Sequence, residues 1–339
     1  MEYAKACFED HSQPLQERMS REVIRRLYEL PLPELLFRAH STHREHWNPL
    51  EVRMSTLVSV KTGACPEDCA YCAQSSRYED CVPFQPMMKV EEVLETARAA
   101  KIAGSTRLCM GASGRSPREG REFEAVLAMI RGVKALGMEA CVTLGMLSDD
   151  QAQRLKEAGL DYYNHNLDTS PEYYANIIST RTYQDRLDTL ERVRAHGIRV
   201  CSGGILGMGE TREDRVGLLH ALANLAQAPD SLPINRLMPM PGTPLAEAEP
   251  LDELEFVRTV AVARLLFPAT RIRLAAGRVD MAPAVQLLCF FAGANSVFAG
   301  EKLLTAPGPG ENADMSLFAS LGLKVDVRAY RSESRAEHL

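Results

Sequence analysis

The stretch Ala140-Cys-Val-Thr-Leu-Gly-Met-Leu-Ser-Asp-Asp-Gln-Ala-Gln-Arg-Leu-Lys-Glu-Ala-Gly-Leu-Asp-Tyr-Tyr-Asn-His-Asn-Leu167 contains one complete strand–helix–strand unit. An apolar run at 140–144 reads as a buried strand. Ser148 then offers a side-chain acceptor to the unpaired amides of a first helical turn, and the amphipathic stretch 148–158 ends at Gly159, which tolerates the left-handed conformation of a helix C-terminus. A second apolar run follows at 162–167. Two strands joined through a helix run parallel. The same alternation extends in both directions. Further apolar runs lie at 57–60, 106–110, 200–206, 234–238, 272–275 and 296–298, separated by helical patterns at 90–103, 121–136, 183–196, 212–225, 251–266 and 281–291. Eight strands alternating with seven helices predict an α/β fold, a (β/α)8 TIM-type barrel.

The barrel is expected to span 49–304. Residues 1–48 form an N-terminal helical extension, with helices at 21–30 and 32–46 separated by Pro31, expected to cap the barrel. Past Ala306-Pro-Gly-Pro-Gly310, residues 305–339 form a C-terminal extension expected to be partly disordered, with a frayed end at 328–339. The composition, 45% apolar and 25% charged, is that of a globular protein, and the absence of a long uncharged apolar run argues against a membrane span. A net charge of −6 without a basic cluster argues against nucleic acid as a partner. The acidic, weakly apolar start Met1-Glu-Tyr-Ala-Lys-Ala-Cys-Phe-Glu-Asp10 does not read as a secretory signal, so the expected location is the cytoplasm. Nine cysteines kept reduced there point to metal binding or catalysis rather than disulfides.

Three of them crowd into Lys61-Thr-Gly-Ala-Cys65-Pro-Glu-Asp-Cys69-Ala-Tyr-Cys72, a loop that begins where the first strand ends and therefore belongs to the catalytic face of a barrel. Three thiolates so close can wrap one metal centre, and thiolates suit iron–sulfur clusters or zinc. A closed zinc site takes four ligands, often as paired C-x2-C units, and only one such pair is present. Within the apolar strands, Cys109, Cys141 and Cys201 stand beside Arg271 and Arg273. A single strand cysteine packs like a small hydrophobe, whereas an arginine inside a barrel needs an anionic partner. Arg271 and Arg273 share strand parity, so alternation does not choose between them.

Cys65-x3-Cys69-x2-Cys72, with Tyr71 before the last cysteine, resembles the signature of the radical S-adenosylmethionine (SAM) superfamily. The resemblance implies a [4Fe-4S] cluster on the three cysteines and an open iron for SAM, whose reductive cleavage yields a 5′-deoxyadenosyl radical. Tyr71 falls on the cofactor side. From Leu35 to Leu323 the chain is similar to the biotin synthases. That similarity implies an auxiliary [2Fe-2S] cluster on Cys109, Cys141, Cys201 and Arg273, selecting Arg273 over Arg271. In Asp161-Tyr-Tyr-Asn-His-Asn-Leu-Asp168 it implies SAM contacts from Asn166 and Asp168, with Asn166 also meeting substrate. Ile205, in Gly203-x-Ile205-x-Gly207-x-x-Glu210, would pack on adenine, and Asn235 would contact the substrate. The order of these glycines does not fit G-x-G-x-x-G, so a dinucleotide fold is rejected.

The implied activity is sulfur insertion into dethiobiotin, a sulfurtransferase reaction consuming two SAM per biotin, with the auxiliary cluster giving up sulfur. The implied partners are a flavodoxin- or ferredoxin-like one-electron donor and a second copy of the chain in a homodimer. Two rivals remain at this point: a radical SAM barrel acting on another small molecule, for which strand cysteines are superfluous, and a non-catalytic iron–sulfur carrier, for which SAM contacts are superfluous. His40, His43 and His46 read as one solvated helix face, and Cys7, Cys81 and Cys289 as ordinary thiols.

Overall fold

The computed structural model of the chain describes residues 19–79, 82–300, 303–305, 308 and 310–328. Cys7, Cys81 and the end expected to fray beyond Arg328 lie outside them. Parallel strands form the centre: β1 (Glu51–Lys61), β2 (Arg107–Ala112), β3 (Glu139–Thr143), β4 (Tyr162–Asn164), β5 (Arg199–Cys201), β6 (Gly204–Leu206), β7 (Ser231–Arg236), β8 (Arg271–Leu274) and β9 (Ser296–Ala299). They pair in chain order, except that β5 and β6 both pair with β7 and share one position. β9 returns to β1, closing an eight-stranded barrel.

Outside run α3 (Val90–Ile102), α4 (Arg121–Ala135), α5 (Asp149–Glu157), α6 (Tyr183–Ala195), α7 (Arg212–Ala223), α8 (Glu253–Leu266) and α9 (Pro283–Phe291). Ser148, Thr182 and Thr211 cap α5, α6 and α7 reciprocally with Gln151, Asp185 and Asp214, satisfying amides that would otherwise be orphaned. Outward-facing Leu108, Met110, Ala140, Val142, Val200 and Ile272 pack into the main apolar core. The inward face is different. Registers Cys109↔Cys141, Cys141↔Tyr162 and Asn164↔Cys201 bring the strand thiols together, and Arg107↔Glu139 lies one inward position below.

Several boundaries depart from the sequence pattern. β1 begins at Glu51, because inward Arg53 and Ser55 interrupt the apolar run without interrupting the strand. The apolar run at 162–167 keeps strand geometry only to Asn164, and the run at 200–206 divides at Ser202-Gly203. The carbonyl of Gly203 accepts from the amides of both Leu167 and Asp168. Beyond the barrel, α10 (Glu311–Leu321) and β10 (Lys324–Val325) were not read from sequence; β10 pairs with the start of β1.

The N-terminal helices α1 (Arg21–Glu29) and α2 (Leu32–His46) do not cap the barrel end. They lie along its flank against α7, α8 and α9, and Trp47 just beyond them stacks under Arg271 at 4.7 Å. The three histidines of α2 do not share one solvated face. His40 stacks on Phe291. His43 is buried with neither ring nitrogen hydrogen-bonded among the described residues, and burial, reinforced by Arg264, holds its pKa at about 3. Among the described residues no helix is long and apolar enough to cross a membrane.

A β-carbon at Gly203 would stand 1.9 Å from the carbonyl oxygen of Pro233. That neighbour is backbone in the barrel wall and cannot yield cheaply. Gly203→Ala should therefore destabilise the protein by at least about 1–3 kcal/mol, read as a lowered urea midpoint. An unchanged midpoint would contradict the close approach of β5–β6 to β7.

Candidate active site

The cysteine loop leaves β1 through Gly63 and Ala64, both in the left-handed region at φ 75° and 51°. A β-carbon at Gly63 would meet the Val82 carbonyl oxygen at 2.9 Å, so glycine is required there. The loop closes on itself, the Cys65 amide donating to the Gln74 carbonyl at 2.9 Å and the Ser76 amide to the Cys65 carbonyl at 2.8 Å. It is also tied to the segment after β4. The Asp68 carboxylate accepts from the amides of Ser179 (3.0 Å) and Thr180 (3.1 Å), and Glu67 accepts from Arg115 and the Thr180 hydroxyl. Burial pushes the Asp68 pKa up, but these hydrogen bonds prevail and hold it at about 2.

The guanidinium of Arg181 donates to Cys69 Sγ at 3.4 Å. Burial pushes the Cys69 and Cys72 thiols up, Cys72 to about 12. Metal coordination reverses that preference by displacing the proton. Among the described residues no group of three His, Cys, Asp or Glu is arranged to hold a single metal ion. A four-iron cluster is broader than one ion and takes thiolates set further apart, which suits this donor set.

A cavity of about 320 Å3 opens inside the loop. Its wall includes all three loop cysteines, all three strand cysteines and Arg273, together with Tyr71, Asn166, Asp168, Ile205 and Asn235. Asp168, at φ 67°, accepts from the Tyr71 hydroxyl at 2.8 Å and pairs with Arg186. Asn166 Oδ1 accepts from the Gly203 amide at 3.2 Å. Asn235 spans two backbone groups, donating to the Gly204 carbonyl and accepting from the Ala276 amide. One amide hydrogen and one lone pair remain for a ligand.

Deeper in the barrel, Cys109, Cys141 and Cys201 pack in one buried cluster, close enough for the Cys141 thiol to hydrogen-bond either neighbour. Burial disfavours ionisation of Cys109, but the hydrogen bond from Cys141 and the charges of Arg273 and Arg107 lower its pKa. Cys201 is lowered chiefly by the Cys141 hydrogen bond, against burial and with help from Arg273 and Arg107. Arg273 is fully buried, donating to Ser296 (3.2 Å) and Ser55 (3.0 Å), while its Nη1 has no partner among the described residues. Three adjacent soft donors beside a cation with an unused donor fit an anionic iron–sulfur centre. Arg271 turns instead to Trp47 and Asp326.

Sequence reading passed over Arg186, Arg181, Asn164, His165 and Arg107. Asn164 donates to Cys201 Sγ at 3.4 Å. His165 lines the cavity with Nε2 lacking a partner among the described residues, and burial holds it neutral. The polar crowding around 161–172 was the available signal for Asn164 and His165.

Residues 59–222 match the family model of the Radical SAM superfamily, and residues 233–324 that of the Biotin and Thiamin Synthesis associated domain. The biotin synthase of Shewanella amazonensis is 61% identical over 307 residues, 91% of this chain and 86% of the relative. The biotin synthase of Methylococcus capsulatus is 61% identical over 299 residues, 88% and 91% of the two chains. The solved structure of methylornithine synthase superposes with a TM-score of 0.77 at 20% identity, covering 91% of this chain and 94% of that one, a likeness of fold.

Because the carboxylate of Asp68 is held at about 2, below its ordinary ~3.9, its anchor contributes stability that is complete above the ordinary value and is lost as pH falls through the lower one. Asp68→Asn should lower the urea midpoint at pH 7, and the difference from wild type should shrink between pH 4 and 2. A difference of equal size at pH 7 and at the acid end would refute the anchor.

Proposed function

The chain belongs to the biotin synthase family of the radical SAM superfamily, and from that membership we propose that it inserts sulfur into dethiobiotin to form biotin. The observation that carries the reading is the shared cavity: one chamber of about 320 Å3 lined both by the three-cysteine loop and by Cys109, Cys141, Cys201 and Arg273. A radical SAM barrel that works with the loop cluster alone has no use for the second set.

Membership in the superfamily brings SAM and a [4Fe-4S] cluster. In our reading Cys65, Cys69 and Cys72 hold that cluster, and Cys109, Cys141, Cys201 and Arg273 hold an auxiliary [2Fe-2S] cluster. When bound, these groups supply a hydrogen-abstracting 5′-deoxyadenosyl radical and a source of sulfur. The residues of the chain bind, orient and shield. Asp168, fixed by Tyr71 and Arg186, offers a carboxylate to the hydroxyls of a ribose. Ile205 gives an apolar surface for adenine. Asn166 and Asn235, each fixed by backbone contacts, retain hydrogen-bonding capacity for a cyclic urea. Leu57, Met238 and Phe298 supply apolar wall that limits water and stray hydrogen donors. Two C–H bonds give way to two C–S bonds, so two SAM are consumed per biotin. A flavodoxin- or ferredoxin-like donor delivers the electrons, and the enzyme works in the cytoplasm as a homodimer.

Anaerobic reconstitution with iron and sulfide, followed by incubation with SAM, a reductant and dethiobiotin, should yield both 5′-deoxyadenosine and biotin. The first product without the second would remove the substrate assignment, and absence of both would remove the activity. Cys141→Ala should retain the absorbance of the loop cluster, lose that of the auxiliary cluster and abolish biotin formation. Retention of both spectra would exclude Cys141 as a ligand.

A further inference from the structure

Arg107 opens β2 two residues before Cys109 and on the same inward face, so it forms part of the floor beneath the strand thiols. It is fully buried. Its Nε donates to Glu139 Oε2 at 3.0 Å, and its guanidinium carbon lies 3.4 Å from the centre of the Tyr162 ring. These two contacts fix the orientation of the group and use one of its five N–H donors. Nη1 and Nη2, carrying the other four, have no acceptor among the described residues.

Other buried arginines here are used differently. Arg264 spends its guanidinium on the carbonyls of Gly293, Phe267, Pro268 and Thr270. Arg53 reaches the Thr106 hydroxyl and the Arg328 carbonyl. Glu139, the carboxylate beside Arg107, is shared with Arg53 at 3.9 Å and with Arg199 at 3.4 Å, the last of which also pairs with Asp161 at 3.1 Å. A desolvated cation with unused donors is costly unless an anion meets it. The next inward position above it is Cys109, paired in register with Cys141, so the sulfur atoms of the strand cysteines are the anion-forming groups on its upper side.

We propose that Arg107 is a positioning residue of the auxiliary centre, held by Glu139 and Tyr162 so that its amino groups donate to the sulfur atoms of that centre and set its reduction potential without ligating iron. This rests on the reading of Cys109, Cys141, Cys201 and Arg273 as its ligands. Hydrogen bonds and positive charge at cluster sulfur favour the reduced state. Arg273 alone supplies too few donors for those sulfur atoms, because two of its nitrogens are already committed to Ser296 and Ser55.

The test is an anaerobic potentiometric titration, with dithionite and mediator dyes, of the full-length reconstituted protein as wild type, R107M and R107K, the loop cluster serving as internal reference. R107M should lose at least tenfold in the one-electron reduction equilibrium of the auxiliary cluster, a fall of about 59 mV or more, with the loop cluster unmoved. R107K, which keeps the charge, should shift it less. Equal auxiliary potentials in wild type and R107M overturn the proposal. If R107M takes up only the loop cluster, recovery of the auxiliary cluster in R107K supports a role for charge, and its loss in both variants overturns it in favour of packing. If R107M does not fold, R107K decides alone: a moved auxiliary potential supports the proposal and an unmoved one overturns it. Failure of the wild type itself to form a second cluster instead removes the ligand reading, and this inference with it.

Discussion

Positive charge buried at the floor of the barrel is the constraint around which the rest of the protein is arranged. Barrels of this type normally close their interiors with branched apolar side chains. Here the inward positions of β1, β2, β3, β8 and β9 include Arg53, Ser55, Arg107, Glu139, Arg273 and Ser296, all buried. Such an interior contributes little hydrophobic stabilisation, and its guanidiniums lose hydration that a single shared carboxylate restores only in part. The stabilising apolar area therefore lies outside the strands, where Leu108, Val142, Val200 and Ile272 meet the surrounding helices. Two serines, Ser55 and Ser296, steady Arg273 without neutralising it. The interior is thus left electropositive beside three thiols, a state that favours an anionic occupant over an empty core.

The mouth of the barrel is built on a different principle. Its carboxylates are matched closely: Asp68 by the amides of Ser179 and Thr180, Glu67 by Arg115 and Thr180, Asp168 by Tyr71 and Arg186. Non-glycine residues with positive φ occur here at Ala64 and Asp168. Left-handed backbone at such residues costs roughly 1–2 kcal/mol each, and dense hydrogen bonding is what holds it. The cysteine loop and the segment after β4 therefore behave as one unit, joined through Asp68 and through the contact of Arg181 with Cys69.

What sequence could disclose follows from how local each signal is. The three-cysteine loop was legible because its cysteines lie within eight residues of one another, and the βα units because their outward strand faces remain apolar. Strand limits failed where inward residues were polar: Arg53 and Ser55 concealed the first half of β1, and the close approach at Gly203 divided an apparently continuous run. The roles of Arg186 and Arg107 were not legible. Their partners, Asp168 and Glu139, lie 18 and 32 residues away, and on a helix or strand an isolated arginine reads as a solvated charge. His43 was misread for the same reason, since only the packing of α2 against α8 removes it from water.

The two sets of cysteines occupy different levels of one chamber, and the strand register explains why. Cys109 and Cys141 are paired neighbours, Gly111 and Thr143 stand one inward position above them, and the loop cysteines lie beyond the C-terminal end of β1. Inward positions recur every second residue, about 7 Å apart along a strand. A small molecule entering the chamber can therefore lie between the loop and the floor, within reach of both. Fold alone would not produce that arrangement, because a barrel of this kind hosts many chemistries. It depends on polar residues standing where apolar ones are usual at inward positions on several strands, each a local sacrifice of core packing that a reaction site at the centre of the barrel would explain.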